Sequence, residues 1–189
     1  MKAAIVVHAG EAPVYGDFQE PVAATGEVRV SVSAAALSNV ARSRASGTHY
    51  SSSGQLPLVV GIDGTGRLDD GRRVYFVLPK APLGSMSERT VVRPSQCVSL
   101  PDDLDDVTAA AIANPGMSAW AALKERAVLV AGESVLVNGA TGTAGRLAIQ
   151  IARYMGARRV VATGRNADAL KALSALGADV AIPLGDGGD

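Results

Sequence analysis

Three evenly spaced glycines mark the place where this sequence could do chemistry. They lie in Gly139-Ala140-Thr141-Gly142-Thr143-Ala144-Gly145, after the β-branched run Ser134–Asn138 and at the start of the amphipathic stretch Ala144–Met155. A glycine turn between a strand and a helix can hold a pyrophosphate. Gly139 permits a tight exit from the strand, Gly142 keeps a Cβ out of the way of the phosphates, and Gly145 lets helix and sheet pack closely. The phosphates then meet the free N–H groups and positive dipole end of the helix. The usual dinucleotide fingerprint spaces its glycines by two and three, so a spacing of three and three is a variant. The plain alternative is a glycine turn with no ligand, and the ordered elements that follow argue against it.

The second chemical signal lies at the end of the next strand, in Thr163-Gly164-Arg165-Asn166. Proteins that bind NAD usually place a carboxylate here to hold the ribose 2′-hydroxyl. This chain has none, and Arg165 can instead form a charge-assisted fork with a 2′-phosphate. The expected cofactor is therefore NADPH. The alternative is that Arg165 is a solvated charge near a helix start.

The elements that must position these residues alternate cleanly. Ser134–Asn138, Arg159–Thr163 and Val180–Ile182 read as strands. Between them, Ala144–Met155 and Asp168–Leu176 read as helices, with Asn166 as an N-cap for the second. The predicted inward residues are Leu147, Ala148, Ile151, Ala152 and Met155 on the first helix, and Leu170, Leu173 and Leu176 on the second. Strand-helix-strand-helix-strand implies a parallel sheet with right-handed crossovers. The texture before about Pro101 differs. Ile5–His8, Val28–Ser33, Leu56–Val60, Arg73–Val77, Val91–Arg93 and Cys97–Leu100 read as short strands between turns, as in a small barrel or rolled sheet. Asp102–Trp120 reads as helical in parts, with a break at Pro115-Gly116.

Bulk properties narrow the class. Eighteen acidic and 18 basic residues cancel, so no global field draws the chain to nucleic acid or an anionic membrane. Aromatics are only 4% of the chain, too few for a base-stacking platform. The lone Cys97 allows neither an intrachain disulfide nor a four-cysteine zinc lobe, which fits a reducing, cytoplasmic setting. No run approaches the ~20 apolar residues that cross a bilayer.

On these residues the chain resembles the medium-chain dehydrogenase/reductase family, and most closely its zinc-free quinone oxidoreductase branch. Val135-Leu136-Val137-Asn138-Gly139-Ala140 through Ala148-Ile149-Gln150-Ile151-Ala152 resembles that family's cofactor turn and helix. Leu176-Gly177-Ala178-Asp179, Leu100-Pro101-Asp102-Asp103-Leu104, Gly116-Met117-Ser118-Ala119-Trp120 and Gly71-Arg72-Arg73-Val74 extend the resemblance along the chain. It implies an α/β protein with two parts. Residues 1–115 would form a GroES-like, partly open β-barrel that carries catalysis. Residues 116–189 would form the first half of a Rossmann doubly wound parallel sheet. The implied activity is hydride transfer from NADPH to a quinone, an enone or a related activated carbonyl compound. Its small-molecule substrate would sit between the two parts, with neither nucleic acid nor membrane as partner.

The resemblance also yields a site. Asn138, Gly139, Ala140, Thr141, Gly142, Thr143, Ala144 and Gly145 would hold the cofactor from the turn. Gly164, Arg165 and Asn166 would hold it from the second strand's end, and Ser118 would lie near its carboxamide. Tyr50 matches a tyrosine placed near the nicotinamide, and Ser38 is a candidate contact to nicotinamide or substrate; both are the catalytic candidates. A loop tyrosine and a serine satisfied by backbone are the plain alternatives. Zinc-dependent members carry a cysteine where this chain has Ser38 and Gly-His-Glu where it has Gly61-Ile62-Asp63, so no metal is expected. Without a Lewis acid, an alcohol is hard to deprotonate, whereas an activated alkene delocalises its developing charge; reduction is therefore the expected direction. The acid and tyrosine often found in the segment aligned with Ser38–Ser43 are missing, and the stretch Gly61–Gly71 reads as a trimmed hairpin. His8, His49 and the acidic run from Asp102 to Asp106 read as structural or solvated.

Two further classes compete. A non-enzymatic NADPH-binding sensor or scaffold, or an inactive fragment of a longer reductase, would explain the missing acid and tyrosine and the short length. A short-chain reductase would place its Gly-Ala-Thr-Gly turn near the N-terminus, whereas some 130 residues precede it here. The family runs longer than this chain, so the expectation is the first part of a longer reductase, with a homodimer possible in the full-length form.

Overall fold

The computed structural model describes residues 1–52 and 54–185. It divides into two compact units, Met1–Ala111 and Ile112–Asp189.

The first unit is built on two antiparallel sheets. In the smaller, β1 (Lys2–Val6) lies between β2 (Val14–Asp17) and β4 (Leu58–Val59). The larger contains β3 (Val28–Ala35), β5 (Asp63–Leu68), β6 (Arg73–Val77), β7 (Arg89–Val92) and β8 (Cys97–Ser99), in the order β7-β3-β5-β6-β8. A bridge between Ala3 and Ser87 and the bond from Ala4 N–H to the Met86 carbonyl, 2.8 Å, link the segment before β7 to β1. The result is an open, rolled arrangement of two sheets rather than a closed barrel. Alternation decides its inside: Val30, Leu68, Val74, Phe76 and Val92 form a buried cluster.

Several sequence expectations shift here. The first strand starts and ends earlier than Ile5–His8, and Leu56–Val60 contracts to two paired residues. Arg73–Val77 is a strand with those bounds. The strands β2 and β5 and the helix α1 (Asn39–Ala45) were not anticipated. β5 reads as loop because its side chains are Asp-Gly-Thr-Gly-Arg-Leu. Its glycines serve close approach: a Cβ on Gly64 would strike the Ala34 carbonyl, and one on Gly66 the Ser31 carbonyl, both in neighbouring β3. The stretch read as a trimmed hairpin contributes β5 to a β5–β6 pair, running from Asp63 opposite Val77 to Arg67 opposite Arg73.

Helix α2 (Asp106–Trp120) carries the chain from one unit to the next, and the expected break does not occur, because Pro115 lies inside it. Proline removes one N–H and crowds the carbonyl four residues back, but a coil of 15 residues retains its other bonds. The coil continues as a π-type segment over Ala121–Arg126. Arg73 anchors the start of α2. Its guanidinium donates to the Leu104 carbonyl at 2.6 Å and to Asp106 Oδ1 at 2.9 Å.

The second unit is a parallel sheet in the order β11-β10-β9, formed by β9 (Ser134–Val137), β10 (Arg159–Gly164) and β11 (Val180–Pro183). Helix α3 (Thr143–Tyr154) joins the first two strands. Helix α4 (Ala167–Lys171), continued by a 3₁₀ turn over Ala172–Leu176, joins the last two. Asn166 caps α4 by accepting the Ala169 N–H at 2.9 Å. The core is Val137, Ile149, Ala152, Val160, Ala162, Leu170 and Leu173, with Leu176 packed at its margin. The buried face of α3 differs from expectation. Ile149 and Ala152 are fully enclosed, while Leu147 and Ile151 are only half-buried. The close packing at Gly145, described below, turns the helix so that the 145–149–152 stripe meets the sheet.

Arg153 and Asp179 clamp this unit. Arg153 donates from Nε to the Gly177 carbonyl at 2.7 Å and from Nη1 to the Ala157 carbonyl at 2.9 Å, and pairs with Asp179. Asp179 also accepts the Val160 N–H at 2.6 Å. That N–H first, and Arg153 second, hold the carboxyl below the usual carboxylate range. A depressed folded pKa means the stabilisation is complete above the unfolded value, about 4, and is lost as pH falls through the folded one. Denaturant midpoints measured from pH 7 to 2 should therefore fall on acidification. Asp179→Asn should lower the midpoint at neutral pH and flatten its pH dependence; an unchanged slope would show that the clamp contributes nothing.

Candidate functional site

The end of β9 and the end of β10 meet at the glycine turn. Gly139 leaves the strand at φ +71°, a conformation that L side chains rarely adopt. The Ala140 N–H then donates to the Thr163 carbonyl at 2.9 Å, which ties the turn to β10. At Gly145 a Cβ would lie 2.6 Å from Ala140 Cα and from the Gly139 carbonyl oxygen. The first turn of α3 therefore rests on bare backbone. Gly142 differs: a Cβ there would meet only the Gly139 carbonyl oxygen, at 3.8 Å.

Gly142 is also the N-cap of α3, and having no side chain it makes no capping hydrogen bond. The opening N–H groups of a 12-residue helix are left to face an incoming group. That is an arrangement suited to an anion. Thr143 and Ala144 form the exposed start of this turn. Arg146 braces the loop from behind, donating from Nε to the Thr141 carbonyl at 3.1 Å.

A cavity of about 560 Å³ opens beside the turn, lined by Asn138, Gly139, Thr141, Gly164, Arg165, Asn166 and Leu184. Leu184 alone among these was not singled out from the sequence, because it follows the last strand with no motif around it. Arg165 is exposed and makes no ion pair among the described residues. The nearby acid Asp168 is taken by Lys171 at 2.8 Å. Gly164 is fitted closely against Thr141, whose Cγ2 would lie 3.1 Å from an added Cβ. Ser118 does not line this cavity; it lies exposed on α2, its hydroxyl donating to the Asn114 carbonyl at 3.4 Å.

The catalytic candidates belong to the first unit. Ser38 is half-buried and caps α1, its Oγ accepting the Ala41 N–H at 3.1 Å. Tyr50 is 96% exposed and stacks on His49 with ring centroids 4.3 Å apart. Their loop is tied down by Thr48 and His49 N–H groups, both donating to the Ser43 carbonyl. Asp63 is buried and accepts the Tyr75 hydroxyl at 2.8 Å. Burial first, then this bond, pushes the Tyr75 phenol well above its ordinary range. Among the described residues, no three His, Cys, Asp or Glu side chains gather as a metal site would require.

No family model matches the chain. It is 28% identical, over 87% of its length and 55% of the relative's, to a probable NADPH-dependent quinone reductase of Emericella nidulans. It is 33% identical to the quinone oxidoreductase of Homo sapiens, over 74% of this chain and 45% of that one. The fold superposes on the quinone oxidoreductase of Thermus thermophilus, solved also with NADPH, with TM-score 0.86 and 32% identity over 96% of this chain and 59% of that one. Over most of its length the chain is similar to quinone oxidoreductases of the medium-chain dehydrogenase/reductase superfamily. It spans about half the length of the curated relatives it matches.

No helix among the described residues is long and apolar enough to cross a membrane. The glycine turn separates two kinds of glycine, and substitutions should distinguish them. Gly145→Ala forces backbone apart and should cost about 1–3 kcal/mol of stability. Gly142→Val meets open space at an extended backbone position, φ −76° and ψ 168°, and should shift the thermal midpoint little. Thermal melts of both variants check this; equal losses would mean that Gly142 also has a packing role.

Proposed function

We propose that this chain takes part in zinc-independent reduction of a quinone, enone or related activated carbonyl compound, with NADPH as donor. The observation that carries this reading is the cavity beside the glycine turn, where Arg165 stands without a carboxylate partner among the described residues. The turn fits a pyrophosphate: Gly142 leaves open space and the helix behind it has uncapped N–H groups. Arg165 fits a 2′-phosphate, and an acid that would favour NAD is missing from Thr163 to Asn166. The names of the relatives, NADPH-dependent quinone reductase and NADPH-dependent alkenal/one oxidoreductase, support the same reading.

When bound, NADPH supplies a hydride, which would add to the β-carbon of the substrate and leave an enolate to be protonated. The residues of the second unit bind and orient: the α3 N-terminus holds the pyrophosphate, and Arg165 holds the phosphorylated ribose. Tyr50 and Ser38 are the proposed polar contacts of the first unit to substrate and nicotinamide. Ser38 accepts the Ala41 N–H through its oxygen, so its hydroxyl proton remains available for donation. Tyr75 is unsuited to give up a proton, because its phenol is half-buried and bonded to the Asp63 carboxyl. Metal has no place in the scheme, since Ser38 and Ile62 stand where zinc-dependent members carry ligands. The non-enzymatic alternative would keep the binding and lose the turnover.

Two measurements test the reading. Fluorescence titration should show NADPH binding more tightly than NADH, and Arg165→Ala should lower that preference roughly ten- to a hundred-fold. A variant with the wild-type preference would remove Arg165 as determinant. Metal analysis of untagged protein should find no stoichiometric zinc, and NADPH oxidation with a quinone should survive a chelator. One zinc per chain would overturn the zinc-independent scheme.

A further inference from the structure

A second polar group in the same cavity has its direction set by the fold. Thr163 is buried, at 7% exposure, and its side chain donates to Asn138 Oδ1 at 2.8 Å. Its carbonyl accepts the Ala140 N–H at 2.9 Å. One residue of β10 therefore holds the glycine turn on both sides of Gly139. The parallel register accounts for the meeting. Ala162 lies beside Val137, so the next residues, Thr163 and Asn138, fall side by side on the opposite face.

The bond fixes the amide. With Oδ1 committed to Thr163, the two N–H groups of Nδ2 point away from it, and Asn138 is exposed along the wall that it shares with Arg165. An amide nitrogen only donates, and a guanidinium only donates. The Asn138 amide nitrogen and the Arg165 guanidinium, both on the wall of this cavity, are thus both suited to an acceptor-only ligand group. A phosphate is such a group. A ribose hydroxyl, which donates as well as accepts, is less well matched.

We propose that Asn138, oriented by Thr163, is a specificity-determining residue for the 2′-phosphate of the dinucleotide, and that Thr163 is its positioning residue. The proposal rests on the reading of this cavity as the NADPH site. Arg165 supplies charge, while Asn138 supplies direction.

The decisive variant is Asn138→Asp. Aspartate has the same shape, and one oxygen still accepts the Thr163 hydroxyl, so the brace on the turn survives. The other oxygen faces the cavity as an anionic acceptor, which repels a phosphate and suits a 2′-hydroxyl. The ratio of NADH to NADPH dissociation constants, measured by fluorescence titration, should fall at least about tenfold, with the thermal midpoint nearly unchanged. Thr163→Val keeps volume and branching but frees the amide to rotate; the same ratio should fall by about three- to tenfold, and Thr163→Ser should restore it. A purely structural Thr163 would weaken both dinucleotides equally and leave the ratio alone. If Thr163→Val does not fold, Asn138→Asp decides. A wild-type preference for NADPH that Arg165→Ala abolishes and Asn138→Asp leaves untouched would overturn this proposal while sparing the NADPH reading. Equal wild-type affinity for both dinucleotides would sink both.

Discussion

The first turn of α3 rests on the peptide backbone of Gly139 and Ala140, with no atom to spare at Gly145. This contact sets the depth and rotation of the helix against the sheet. It brings Ile149 and Ala152 into the core and leaves Leu147 at its margin. It also points the helix N-terminus at the space beyond β9, where Gly142 adds nothing to fill it. The cavity beside Arg165 follows from the same geometry. A helix held farther out would bury its stripe less completely and would carry its opening N–H groups away from the turn.

Much of the second unit was legible because its signals are local. Periodicity marks Ser134–Val137, Thr143–Tyr154 and Arg159–Gly164 almost to their ends, and Asn166 announces its own helix. Arg165, which lines the cavity, could be picked out as a candidate from its place after a strand, without any structure. The first unit was harder. β5 is rich in glycine because β3 runs so close to it that Cβ atoms have no room, and a rule tuned to β-branched side chains reads such a strand as loop. β2 is largely exposed and carries no inward alternation to be read. Pro115 misled for another reason. A proline rule prices one lost bond, while the helix around it keeps the rest.

The bond from Thr163 to Asn138 was beyond reach of sequence reading. It joins residues 25 apart through the parallel register of β9 and β10, and no spacing in the sequence pairs the two side chains. The same holds for the clamp of Arg153 on Gly177, Ala157 and Asp179, which reads in sequence as one basic residue at a helix end. Nor could Asp63 be foreseen as a buried acceptor for Tyr75, since the two meet only across the β5–β6 pair. Polar side chains like these are placed by topology, and their chemistry becomes visible only when strands are in register.

The turn also divides labour between shape and chemistry in a way that bears on how such a protein can change. Gly139 and Gly145 are spoken for by backbone angle and backbone contact. Thr141, Gly142, Thr143 and Ala144 sit between them on a rigid frame, three of them open to solvent. A combinatorial library confined to those four positions would explore new ligands with little risk to folding. One that included the two outer glycines would add backbone strain at Gly139 and backbone overlap at Gly145. Adaptability here is concentrated in a window four residues wide, bounded on each side by a glycine that any substitution would strain.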